Sequence, residues 1–179
     1  MVLLTSYQTK MKISSTLEEI LAKKSLSKIT VSELMLKSQM SRQTFYRYFL
    51  DIDDVVFWLY NEHAKKPVQT FDDSHSFCEG ICSMAVIIKE HAPLYINAVK
   101  KCGPISFETM FFNVMVSHTR AFFGESHIND NLNFVILQFW YGATYSLIEW
   151  VRGGMKRAPE LLAEYMYSGM PEIMKKFYY

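Results

Sequence analysis

Cysteine is scarce in this chain, and its scarcity is informative. Three cysteines, an odd number, do not make a disulfide framework and fit a reducing compartment. The opening residues MVLLTSYQTK lack the long apolar stretch of a secretory signal, so a cytoplasmic chain is expected. An apolar run of membrane-spanning length without interruption is also missing. The most apolar segment, FVILQFWYGATYSLIEWV (134–151), carries Gln138 and Glu149. A glutamate within the bilayer core costs several kcal/mol, so this segment reads as a buried or interface helix, and no membrane partner is expected. No segment alternates polar and apolar residues for long, which leaves little or no strand. Repeats, low-complexity tracts and the Ser-His-Asp, P-loop and Rossmann signatures are absent, and the five histidines are scattered. These absences point away from an enzyme and from any required cofactor.

The chain does contain helical periodicity throughout, with half of its 179 residues hydrophobic. Ile13, Leu17, Ile20 and Leu21 form one apolar stripe. Thr30 and Glu33 have capping-box spacing, and Val31, Leu34 and Met35 give the short helix that follows its apolar face. KSQM is a break, after which Ser41 can cap the next helix. Asp51 can cap a further helix that buries Val55, Val56, Leu59 and Tyr60 and is expected to end before Pro67. Residues 10–66 thus read as four helices. Further helices are predicted near 73–91, 93–102, 106–123, 128–152 and 159–177. Pro93 suits a first turn, Gly103-Pro104 and Gly153-Gly154 are stop signals, and Gly169 with Pro171 should break the last helix.

Charge is uneven although the net value is only +1. Residues 1–50 hold eight Lys/Arg against three Asp/Glu, whereas residues 51–179 hold eleven against fifteen. A basic head on a mildly acidic body suggests an anionic partner for the head. Within the head, MSRQTFYRYF (40–49) combines four aromatics with two arginines behind a capping serine. Phe45 and Phe49, four apart, can anchor one helix face to a small core. Two short helices joined by a tight turn in a basic domain describe a helix-turn-helix, whose second helix enters the major groove of double-stranded DNA. Arg42, Gln43 and Thr44 can then reach base edges, and Tyr46, Arg47 and Tyr48 can reach phosphates. Thr30 and Ser41, each at a helix N-terminus, complete the expected DNA-facing set.

TVSELMLKSQMSRQTFYRYFLDIDDVV closely resembles the N-terminal signature of the tetracycline-repressor (TetR) family of transcriptional regulators, whose pattern runs roughly I-T-V-x-x-I-A-x-x-A-G-V-S-x-x-T-F-Y-x-Y-F-x-x-K-x-x-L. The resemblance covers about residues 10–66. A long helix bearing Gly142, Ala143 and Ile148-Glu149-Trp150, then a Gly-containing turn and a Pro-started helix, resembles a C-terminal domain common in that family. RQTFY together with that tail is similar to the branch containing the dihydroxyacetone-kinase operon activator. The resemblance implies an all-α homodimer. A three-helix helix-turn-helix domain (1–50) would be followed by a connecting helix (51–66) and an effector-binding and dimerisation domain (67–179). It further implies a repressor that binds a near-palindromic operator and answers to a small-molecule effector. Two positions depart from the pattern. Gln39 stands at the turn position usually held by glycine, and Ile52 replaces a phosphate-binding lysine, which predicts a shallower salt dependence. Both departures, Gln39 and Ile52, motivate an alternative, an adaptor of the same fold that acts through a protein partner.

In the larger domain, Phe107, Phe111, Met115, Phe139, Tyr141 and Tyr145 are candidates for lining an apolar effector pocket, with core and interface packing as the plain alternative. Gly142, Ala143 and Ser146 would let another helix approach closely, either within the subunit or, as the resemblance implies, from a second subunit in a dimer through the two C-terminal long helices. His75, Cys78 and Cys82, at i, i+3 and i+7, would share one helix face. They are weak metal-ligand candidates, with His63, His91, Cys102 or His118 as a fourth donor. Buried cysteine as a small hydrophobe is the simpler reading.

Overall fold

Capping chemistry sets most of the helix starts. The computed structural model describes residues 5–100 and 106–178. It contains ten α-helices and, among the described residues, no strand. The fold is all-α, as expected. In the head, α1 (Ser6–Leu21), α2 (Val31–Lys37) and α3 (Arg42–Tyr48) surround Ile13, Leu17, Leu34 and Phe45, all fully buried. The Thr30 hydroxyl accepts from the Glu33 amide at 3.2 Å, and Ser41 accepts from Thr44 at 3.1 Å. Asp51 accepts from Asp54 at 2.9 Å and opens α4 (Ile52–Ser74). Each hydroxyl or carboxylate satisfies an amide that the first turn leaves without a partner. A capping box between Thr5 and Gln8 starts α1 earlier than expected.

The body is built from α4, α5 (Phe77–Glu90), α6 (Ala92–Ala98), α7 (Phe107–Phe123), α8 (Asp130–Arg152), α9 (Pro159–Ser168) and the short α10 (Glu172–Lys175). Helix α5 is sandwiched between α4 and α9, while α7 packs along α8. At the centre Trp140 is fully buried, and its indole N–H donates to the Thr119 hydroxyl at 2.9 Å. No described helix is long and apolar enough to cross a membrane.

The main correction concerns α4. It does not end before Pro67 but runs through it to Ser74, with Pro67 and Phe71 buried. A helix-interior proline costs about 3 kcal/mol. The packing of α4 against α5 and α7 outweighs that local cost. The helix stops only at His75, whose left-handed backbone (φ 54°) turns the chain into α5. Pro93 lies in the first turn of α6, Gly153-Gly154 follow α8, and Gly169 to Pro171 separate α9 from α10, all as expected. Gly103-Pro104 and Cys102 lie outside the described residues.

Candidate nucleic-acid interface

The turn between α2 and α3 sets how α3 is presented. The Met40 amide donates to the Met35 carbonyl at 3.0 Å and the Gln39 amide to Leu36 at 3.1 Å, the paired bonds of a Schellman C-cap. Gln39 occupies its left-handed position at φ 57°, where glycine is usual. Ser41 then caps α3 and shares a 2.9 Å hydroxyl contact with Thr44.

On α3 the two sides differ sharply. Phe45 and, just beyond the helix end, Phe49 are buried with ring centroids 5.8 Å apart. Thr30, Ser41, Arg42, Gln43, Tyr46 and Arg47 are exposed, and Thr44 and Tyr48 are half-buried. The head's other charges are partly committed. Lys24 pairs with Glu33 at 2.6 Å, which holds that carboxyl below its ordinary range, and Lys37 pairs with Glu19 at 3.0 Å. Lys10 lies over the Phe49 and Trp58 rings. Among the described residues neither Arg42 nor Arg47 has a carboxylate partner. Two unpaired guanidinium groups therefore stand on the open side of a helix whose opposite side is locked to the core. Ile52, half-buried at the start of α4, offers no charge there.

A second feature lies in the body. An apolar cavity of about 40 Å³ sits between α4, α5 and α7. Phe107, Phe111 and Met115 line it, together with Phe71, Met84 and Met110. It has room for little more than a water or two. Three of the expected pocket residues lie elsewhere. Phe139 packs on Phe77 and Trp140 and borders the groove between α8 and α9. Tyr141 and Tyr145 are 65% and 61% exposed on the outer face of α8, Tyr141 stacking on Phe112. The cavity residues contributed by α4 and α5 were not anticipated, although the apolar faces of those helices were the available signal.

The weak metal candidates His75, Cys78 and Cys82 are not gathered into a ligand group among the described residues. His75 belongs to the end of α4, not to α5, because its left-handed backbone breaks the helix the spacing assumed. Burial pushes both thiols up in pKa, with Glu164 adding to the effect at Cys78 and Glu160 at Cys82. His118 contacts Asp72 at 3.0 Å. Among the described residues, the one group of metal-ligating side chains close enough to share an ion is Glu18, His63 and His91, on α1, on α4 and between α5 and α6. Its members are too far apart in sequence for any spacing pattern to reveal them.

The comparisons fit this architecture. Residues 76–171, over half of the chain, match the family model TetR_C_8, described as the transcriptional regulator C-terminal region. The solved structure of the dihydroxyacetone kinase operon activator DhaS is 17% identical with a TM-score of 0.72, covering 96% of this chain and 98% of that one. A TetR-family transcriptional regulator from Streptomyces coelicolor is 11% identical with a TM-score of 0.61, covering 97% and 88%. FadR from Thermus thermophilus, a TetR-family repressor solved with lauroyl-CoA, is 12% identical with a TM-score of 0.55, covering 89% and 91%. At such identities the likeness is one of fold. No curated protein matches by sequence. The family model over the body, with the TetR-like signature over the head, leads to one assignment: the chain belongs to the TetR family of transcriptional regulators.

Proposed function

We propose that the chain acts as a homodimeric DNA-binding repressor, with residues 1–50 as the reading head and 67–179 as the effector-binding and dimerisation body. The observation that carries this reading is the unpaired, exposed Arg42 and Arg47 on the open side of α3. Arg42, Gln43 and Thr44 sit in the first turn, the part of a recognition helix that meets base edges. Thr30, Ser41, Tyr46, Arg47 and Tyr48 flank that turn and hold phosphates, which fixes register.

Dimerisation is assigned to the outer face of α8 and α9. Phe134, Tyr141, Tyr145 and Tyr165 are exposed there, a large apolar surface for a subunit to leave in water. A Cβ at Gly142 would meet nothing within 4 Å, so this position is open to a close partner helix. Gly142 and Ser146 face outward, whereas Ala143 is buried within its own subunit. The effector is an apolar small molecule that enters the α4–α5–α7 cavity. The cavity must grow to admit it, since ligand pockets typically measure roughly 300–1,000 Å³. Met84, Met110 and Met115 supply side chains soft enough to rearrange.

Ile52 favours a second reading, a regulator that binds DNA weakly and acts through a protein partner; the similar DhaS carries the name of an activator. Selection of genomic fragments by the purified chain at low and moderate salt separates the two. Enrichment of a near-palindrome that weakens steeply with salt supports the DNA reader. A folded dimer that enriches nothing at either salt refutes it in favour of the adaptor.

A further inference from the structure

Where head meets body, three helix segments bring a carboxylate and two imidazoles together. Glu18 projects from α1, His63 from α4, and His91 from the junction of α5 and α6. One ligand atom from each lies within 4.8 Å of the other two. His91 Nδ1 is 2.6 Å from Glu18 Oε1, and the two imidazole centroids are 3.9 Å apart. We propose that Glu18, His63 and His91 bind a late first-row divalent cation, with zinc as the best match, across the junction of the head and the body.

The donor set suits that ion. Two imidazoles and a carboxylate give zinc three protein ligands and leave a fourth position for water. Bonds of roughly 2.0–2.2 Å set tetrahedral donor–donor separations of about 3.3–3.6 Å. The short Glu18–His91 contact must therefore open slightly. Glu18 and His91 are only partly buried, with 22% and 34% of their side chains exposed, so both retain the freedom to make that adjustment.

An outer partner holds one of these ligands. His63 Nδ1 lies 3.1 Å from the Tyr95 hydroxyl. With Nδ1–H donating to that buried oxygen, Nε2 is the available ligand atom, and the ring is held by its outer partner as metal-bound histidines usually are. A cation would sit among two tilted imidazoles and a carboxylate.

The location gives the ion a structural role. Helix α1 contributes Ile13 and Leu17 to the core of the head, and His91 belongs to the body. Bound metal would tie the two together beside α4, the helix common to both. The effect on operator binding rests on the DNA-reading proposal; the site itself does not.

The test uses the untagged full chain, stripped with chelator, and no DNA, so it succeeds or fails apart from that proposal. Zinc is titrated in competition with a chromophoric chelator, and cobalt(II) is added separately to record its visible spectrum. One ion per chain is expected, with intense tetrahedral d–d bands and no thiolate charge-transfer band. Glu18→Gln and His91→Asn should each weaken zinc binding at least about tenfold, since even outer-shell changes cost roughly 10–100-fold. Cys78→Ser/Cys82→Ser should leave it unchanged. Unaltered helix content by circular dichroism separates ligand loss from unfolding, and Glu18→Gln, isosteric and partly exposed, is the variant best able to keep the fold. No zinc binding by the folded chain, wild-type affinity in folded Glu18→Gln, or a thiolate band with cobalt would overturn the site.

Discussion

Replacing Gln39 with glycine should make this protein more stable, and the expected size follows from one dihedral angle. Gln39 stands at φ 57° in the α2–α3 turn, exposed, with its amide and that of Met40 already committed to the C-cap of α2. A residue with a Cβ in that left-handed conformation carries roughly 1–2 kcal/mol of steric cost. Glycine removes the cost but adds freedom to the unfolded chain, worth about 0.4–1 kcal/mol in the opposite direction. The difference favours Gln39→Gly by about 0.5–1 kcal/mol. For a chain of this size that is roughly 1–4 °C in Tm. Asparagine tolerates the conformation better than most residues and should fall between, while alanine keeps the Cβ and gains nothing. Thermal and urea melts of Gln39→Gly, Gln39→Asn and Gln39→Ala at one protein concentration give the order, since a dimer's Tm depends on concentration. An alanine variant as stable as the glycine variant, or a glycine variant below the parent, would refute the strain argument.

Other substitutions test other parts of the account. Arg42→Ala should cost about 1–3 kcal/mol of operator affinity and relax preference at one base pair, read by binding to single-base operator variants. Arg47→Ala should weaken all sequences alike and reduce the salt slope by about 1 for each subunit bound, about 2 for the dimer. Phe45→Ala removes a fully buried ring and should cost about 3–5 kcal/mol of stability in urea denaturation; a variant as stable as the parent would sink the anchor role. Gly80→Ala would place a Cβ 2.5 Å from the Phe71 ring, itself 1% exposed, and overpacking of about 1–3 kcal/mol should exceed the gain of about 1 kcal/mol in helix propensity. Gly142→Leu adds its side chain to space that is open within the subunit, so circular dichroism should be unchanged while sedimentation shifts toward monomer.

The parts of the fold that were legible in advance depend on chemistry within a few residues. Thr30, Ser41 and Asp51 cap helices because an oxygen at that spacing finds a free amide, whatever lies further away. The break at Gly169–Pro171 is equally local. Pro67 misled for the complementary reason. Its local cost is real, but the burial of Phe71 and Pro67 against neighbouring helices decides the outcome, and that burial is invisible until those helices are placed. Aromatic identity alone could not sort the pocket candidates. Helical register could have done so, since Tyr141 and Tyr145 lie one turn apart on the face away from Trp140 and Leu147. No reading of register would have joined Glu18, His63 and His91, because three separate helix segments had to converge first.

Pro67 has no amide hydrogen, so α4 lacks the rung that would reach back to the carbonyl of His63, and Pro67 also forms part of the cavity wall. The helix joining the two halves of the protein thus lacks one hydrogen bond beside the cavity. Helices bend most easily where a rung is missing. If the proposed effector opens the cavity, bending at this gap would carry a small displacement there to the far end of α4 as a larger swing of the head.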